Sequence, residues 1–227
     1  MRRDGWARLL AAVTALVVIA GIVLQIHATA TSTGGFFSSK GERIANIFCF
    51  FTILSNLLLA VTNAVLVADP HRCTPIFSAL RLSAVLSMIV TGVVFHIALA
   101  GLHDLHGTAK VADLLLHTVS PVLAVVGWLY AGPRGAIDGR VVGLSVGYPV
   151  LWLVATLIRG AVVGFYPYPF LDATTHGYLR VAVNSVIVAA LFLGLAAGAA
   201  WLDRRLPGRA ATPAVAISAA STPQGGR

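Results

Sequence analysis

The sequence predicts an all-α integral membrane protein of six transmembrane helices with both termini cytoplasmic. Three observations carry this. Of 227 residues, 58% are hydrophobic and 11% charged, against about 25% charged in a soluble domain, so lipid is the main solvent. The apolar residues fall into six runs, each near the roughly 20 residues that cross a bilayer core. No charge stands at the centre of any run, as hydrocarbon demands.

The first span covers 7–26, behind the basic start Arg2-Arg3. Ala28-Thr29-Ala30 resembles a signal-peptidase site. The apolar stretch from Leu9 to Leu24, however, exceeds the roughly 7–15 residues of a signal-peptide core, so a retained helix is expected. The remaining spans are 44–68, 79–101, 111–131, 141–160 and 178–202. Their separators hold turn formers such as Asp69-Pro70-His71-Arg72 and Gly132-Pro133-Arg134-Gly135. The fifth separator differs, being aromatic and proline-rich: Gly164-Phe165-Tyr166-Pro167-Tyr168-Pro169-Phe170-Leu171-Asp172. Within span five, Pro149 should bend the helix. Residues 203–227, rich in Ala, Pro, Gly, Ser and Thr, form an expected disordered tail.

Charge sets orientation. The N-terminus, loops two and four and the tail carry 11 of the 16 Lys and Arg, the other side five. The positive-inside rule therefore places both termini in the cytoplasm of a cell (inner) membrane protein. Because these cations flank apolar runs rather than form one patch, nucleic acid is not an expected partner. Cys49 and Cys73 fall on opposite sides, which excludes a disulfide between them. No cofactor or metal is expected; the spacing His103-Asp104-Leu105-His106 is too weak a signal for a metal site.

Two polar residues inside apolar segments stand out: Thr52 in span two and His117 in span four. Unpaired polar groups are costly in hydrocarbon. Counting 1.5 Å per residue from the span ends puts them about 12 Å and about 9 Å below the outer boundary. Thr52, Asn56 and Asn63 share a helical stripe. Asp113 precedes His117 by one turn and can accept its ring N–H, fixing the tautomer. His96, Arg159 and Asn184 lie in the same outer half.

Such a cluster suits nucleophilic acyl transfer. A threonine hydroxyl needs a base within reach, and histidine is the usual one. Asn56, Asn184 or Arg159 could supply donors to an oxyanion. The plainer alternatives are a threonine bonded to its own i−4 carbonyl, asparagines that glue helices together, and an Asp113 and Arg159 that snorkel.

Phe50-Phe51-Thr52-Ile53-Leu54-Ser55-Asn56, His117 followed by Pro121, and the loop Tyr166–Asp172 together resemble the androgen-induced and androgen-dependent membrane hydrolase family. The likeness is nearest to its bacterial Pr-six-Pr branch and runs from about Ala7 to Leu202. It implies a multi-pass hydrolase of fatty acid esters of hydroxy fatty acids, with Thr52 as nucleophile and His117 as base. Its partner would be a membrane lipid or fatty-acyl ester. Where animal members continue with a Gln-containing segment after the threonine, this chain has Ser55-Asn56.

Two other classes compete. A non-enzymatic lipid or small-molecule binding or transport protein would use the polar cluster as its site. A haem or quinone protein would need His96 and His117 as paired ligands. A rhomboid-type protease ranks lower, since no Gly-x-Ser-Gly segment occurs.

Overall fold

A computed structural model describes residues 2–102, 104–131, 133–206 and 209–210. Among these, six helices are long and apolar enough to cross a membrane, and the chain is a multi-pass helical membrane protein. The helical segments are α1 (Arg2–Thr31), α2 (Lys40–Ile47), α3 (Phe51–Ala68), α4 (Pro75–Val94), α5 (Gly107–Leu114), α6 (Ser120–Ala131), α7 (Gly139–Ser145), α8 (Gly147–Val163) and α9 (Ala173–Arg205). Wide π-helical turns extend α4 over Phe95–Leu99 and join α5 to α6 over Leu115–Val119.

α4 is the axis of the bundle, packing on α3, α6, α7 and α9. One side of it, with Leu82, Leu86 and Val90, meets Trp128, Val141 and Phe192. The other, with Ala84 and Met88, meets Val18, Leu59 and Leu116 of the α1, α3 and α5–α6 layer. Gly21 lets α1 close on this layer, since a Cβ there would lie 2.8 Å from the Leu116 side chain.

Span two departs from the expected continuous helix over 44–68. It is two helices, α2 and α3, separated at Phe48–Phe50. The break has no proline or glycine behind it, and tertiary partners satisfy its backbone. Trp152 Nε1 donates to the Cys49 carbonyl at 3.0 Å, while Phe48, Cys49 and Phe50 donate to carbonyls three residues back. α2 carries its own capping box, Ser39 with Glu42. Thr52 therefore sits in the first turn of a helix, not eight residues into one.

Proline chemistry accounts for two other interruptions. Pro121 has no N–H for the carbonyl of His117 four residues back, and its ring would crowd that carbonyl. The chain opens into the π-helical turn Leu115–Val119, with Ser120 N–H reaching the Leu115 carbonyl. Pro149 follows the break between α7 and α8 at Val146, and its missing N–H leaves the Ser145 carbonyl without a helical donor. α9 is interrupted at Gly177, whose φ of 74° favours glycine.

At the other end, two sequence assignments change. Arg81, counted with loop two, lies within α4 and is buried. Asp203, placed at the start of the tail, is helical and buried: it accepts from Ile137 N–H at 3.0 Å and lies 3.9 Å from Arg134. Its burial partner is why the helix outlasts residue 202. Beyond it, Arg209–Ala210 pairs in parallel with Pro133–Arg134; residues 211–227 lie outside the described residues.

Candidate active site

The break before α3 and the π turn after α5 face each other, and Thr52 meets His117 between them. Thr52 Oγ1 is 3.2 Å from His117 Nε2. Asp113 Oδ1 is 2.9 Å from His117 Nδ1, and the Asp113 carbonyl lies 3.2 Å from the same nitrogen. With Nδ1–H directed at Asp113, Nε2 is left as the acceptor for the threonine hydroxyl. Thr52 does not bond back to its own helix. Phe95 stacks on the imidazole at 4.2 Å with 14° between the planes, so the ring is held on its face as well as its edge.

Tyr168, in the aromatic loop, is the residue that sequence reasoning missed. Its hydroxyl accepts from Thr52 N–H at 3.2 Å and stands 3.3 Å from Thr52 Oγ1. α3 has no capping side chain of its own, and this phenol takes that place. Burial pushes the Tyr168 phenol above the usual range, and hydrogen bonds from Thr52 and Phe51 offset part of that rise. The phenol thus stays protonated and able to donate to Thr52 Oγ1. Trp152, Phe170 and Phe50 pack round the ring. The motif Tyr166–Asp172 was visible; that Tyr168 turns inward was not.

The three proposed oxyanion donors each hold another partner. Asn56 Nδ2 donates to the Thr52 and Leu116 carbonyls, and its oxygen accepts from Ser120 at 2.6 Å. This ties α3 to the His117 helix, as glue rather than as a free donor. Arg159 donates to Asn46 Oδ1 at 2.9 Å and lies over the Phe37 and Phe165 rings, anchoring α2 to α8. Asn184 donates to the Phe170 carbonyl at 2.8 Å and holds the aromatic loop on α9. Asn63 bonds its own i−4 carbonyl.

His96 is exposed, and its Nε2 is 3.2 Å from Thr118 Oγ1. Both nitrogens of His117 are engaged by Thr52 and Asp113, so the two histidines do not form a ligand pair. His103 lies outside the described residues; His106 pairs with Asp104 at the surface.

Two cavities meet at Thr52, His117 and Tyr168. The first, about 160 Å³, is almost wholly apolar and runs between α4, α8 and α9, past Val90, Leu153, Val188 and Phe192. Val150 and Leu193 on its rim are 49% and 51% exposed, so it reaches the lipid-facing surface between α8 and α9. The second, about 680 Å³, is also largely apolar but carries charged side chains, Arg43, Lys110, Asp104 and Asp113 among them. An amphiphile spanning both would place its junction at the threonine.

Comparison with known proteins adds no relative: no protein-family model, curated protein or solved structure matches the chain.

Proposed function

We propose that the chain is an intramembrane lipid-ester hydrolase, with Thr52 as nucleophile and His117 as general base. The observation that carries this reading is the hydrogen-bonded line Asp113–His117–Thr52, placed where an almost wholly apolar cavity meets one that carries charged side chains. The resemblance to the androgen-induced hydrolase family points the same way and suggests fatty acid esters of hydroxy fatty acids as substrates. With both termini cytoplasmic, the site would lie in the outer half of the bilayer, and substrate would arrive sideways between α8 and α9.

The chemistry follows from the geometry. Thr52 Oγ bonds to the acyl carbon as its proton moves to His117 Nε2, and the carbonyl electron pair moves onto oxygen. Collapse of that intermediate breaks the ester C–O bond, and the departing alkoxide takes the proton from Nε2. Water then attacks the acyl-threonine, giving its proton to His117. The acid is released as Thr52 recovers a proton. Asp113 stabilises the imidazolium in both steps without being protonated itself. Tyr168 fixes Thr52 by bonding its backbone and side chain together.

The test is ester cleavage by purified protein in lipid nanodiscs, with Thr52→Ala and His117→Ala beside it. Both variants should fold and lose cleavage; full activity in either would overturn the assignment. A binding or transport role is the second reading, favoured by the size of the second cavity. A fluorophosphonate probe separates the two: it labels Thr52 in a hydrolase and leaves a carrier unmarked.

A further inference from the structure

We propose that the Thr91 hydroxyl is the hydrogen-bond donor that receives the ester carbonyl oxygen, a role that rests on the hydrolase reading above. The need for such a donor is chemical. Negative charge collects on that oxygen in the intermediate, and a prearranged donor there is usually the largest electrostatic contribution to acyl transfer. Asn56, Arg159 and Asn184 hold other partners and do not line the apolar cavity.

Thr91 carries an unpartnered hydroxyl in the wall of that cavity. Several hydroxyls in these spans bond the carbonyl one turn back, as Thr14, Thr62, Ser120 and Ser185 do. Thr91 does not. It is 6% exposed, and its Oγ1 is buried without a partner. An unpaired hydroxyl in an apolar interior is unfavourable, so this one awaits an acceptor.

Its position identifies the acceptor. Thr91 lines the apolar cavity together with Thr52 and His117. Two further hydroxyls on the same face of α4, Ser83 and Ser87, are also buried and unpartnered but do not border that cavity. The next residue, Gly92, brings α4 against the π turn: a Cβ there would stand 3.5 Å from the His117 carbonyl and 3.3 Å from Pro121. Thr91 is thus fixed beside the turn that carries the base. The proposal places an acyl chain in the apolar cavity with its carbonyl carbon at Thr52 and its oxygen toward Thr91. In the attack step the oxygen gains the electron pair and Thr91 keeps its proton, donating a hydrogen bond that shortens as charge builds.

The experiment compares Thr91→Val, Thr91→Ser and Ser87→Ala with the parent in nanodiscs, reading kcat and KM on one fluorogenic fatty-acyl ester and thermal unfolding on each. Valine keeps the shape and removes the donor, so kcat should fall about a hundredfold with KM nearly unchanged. Serine should restore most of that loss, and Ser87→Ala should match the parent. A folded Thr91→Val with undiminished kcat, or a Thr91→Ser as impaired as the valine variant, overturns this proposal alone. A parent chain that cleaves no ester and takes no fluorophosphonate at Thr52 overturns the hydrolase reading and this one with it.

Discussion

The phenol of Tyr168 caps the helix that carries Thr52, across 116 residues of sequence. One oxygen accepts the Thr52 N–H and also lies against its side-chain hydroxyl. Helix start and candidate nucleophile are therefore fixed by the same atom.

Tyr168→Phe keeps the ring and removes that atom. Losing a cap costs about 1 kcal/mol, which thermal unfolding in detergent would register as a modest fall. Ester cleavage should fall further than stability, chiefly in kcat, because the threonine loses its second partner. A variant with lowered stability and parental kcat would reduce Tyr168 to a structural cap.

Asp113→Asn should leave the bundle folded, since both residues are half-buried at a cavity edge. The amide can donate to His117 Nδ1 and so favour the tautomer whose Nε2 carries the proton. That tautomer cannot accept from Thr52. A loss of about a hundredfold to ten-thousandfold in kcat is expected, measured on the same ester; parental turnover would remove Asp113 from the line.

Gly160→Ala tests how the aromatic loop is seated. A Cβ at this position would land on the Tyr166 ring, which is rigid and cannot yield locally. Overpacking of this kind costs about 1–3 kcal/mol. Unfolding temperature and cleavage should fall together, because Tyr166 and Tyr168 belong to one short loop. Unchanged values for both would mean that the loop can shift without disturbing the cap.

Asp172 gives the site a pH dependence at its margin. It caps α9, accepting from Thr174 N–H at 2.9 Å and from the Thr175 hydroxyl at 2.7 Å. Hydrogen bonds from the Thr174 and Thr175 hydroxyls hold its carboxyl below the usual range. A carboxylate with a lowered folded pKa contributes stability above its unfolded pKa, near 3.9; that contribution is lost as pH falls through the folded value. Asp172→Ala should therefore be about 1 kcal/mol less stable at pH 7 and converge on the parent in acid. Chemical-denaturant midpoints across that range would show it, and a gap independent of pH would count against the cap.

Asp203→Ala should destabilise by about 3–5 kcal/mol. It removes the carboxylate facing buried Arg134, whose guanidinium keeps only the Trp128 and Leu129 carbonyls and the Trp128 ring, and leaves the Ile137 N–H without its acceptor. Little change on unfolding would show that the end of α9 contributes less than its burial implies.

The six helices were legible because length and apolar composition alone decide whether a segment can satisfy its backbone in lipid. The Asp113–His117 contact was legible too, from i,i+4 spacing. The break before Thr52 was not. Phe48–Phe50 is as apolar as the helices around it, and its cause, Trp152 on the Cys49 carbonyl and Tyr168 on Thr52, lies more than 100 residues away. Counting depth from span ends thus paired Thr52 with His117 by a route the backbone does not take. The π turn had a visible signal in Pro121, four residues after His117. Asn56, Arg159 and Asn184 were chosen by residue type as donors, but type says nothing of who already holds the donor.

The π turn at Leu115–Val119 makes the length of this helix a functional quantity. It holds one more residue than an α-helical turn would, so the segment could lose a residue and remain a helix. A deletion at Thr118 would let the ladder close into an α-helical turn, leaving the segments before and after it nearly in register, because the π turn absorbs its extra residue locally. Ser120 would keep Asn56 and Pro121 would keep Gly92, while His117, inside the turn, would be re-aimed. The membrane would still accept the helix, and the imidazole would no longer meet its threonine. In this chain, insertion into the bilayer and alignment of the site answer to different features of the same twenty-five residues.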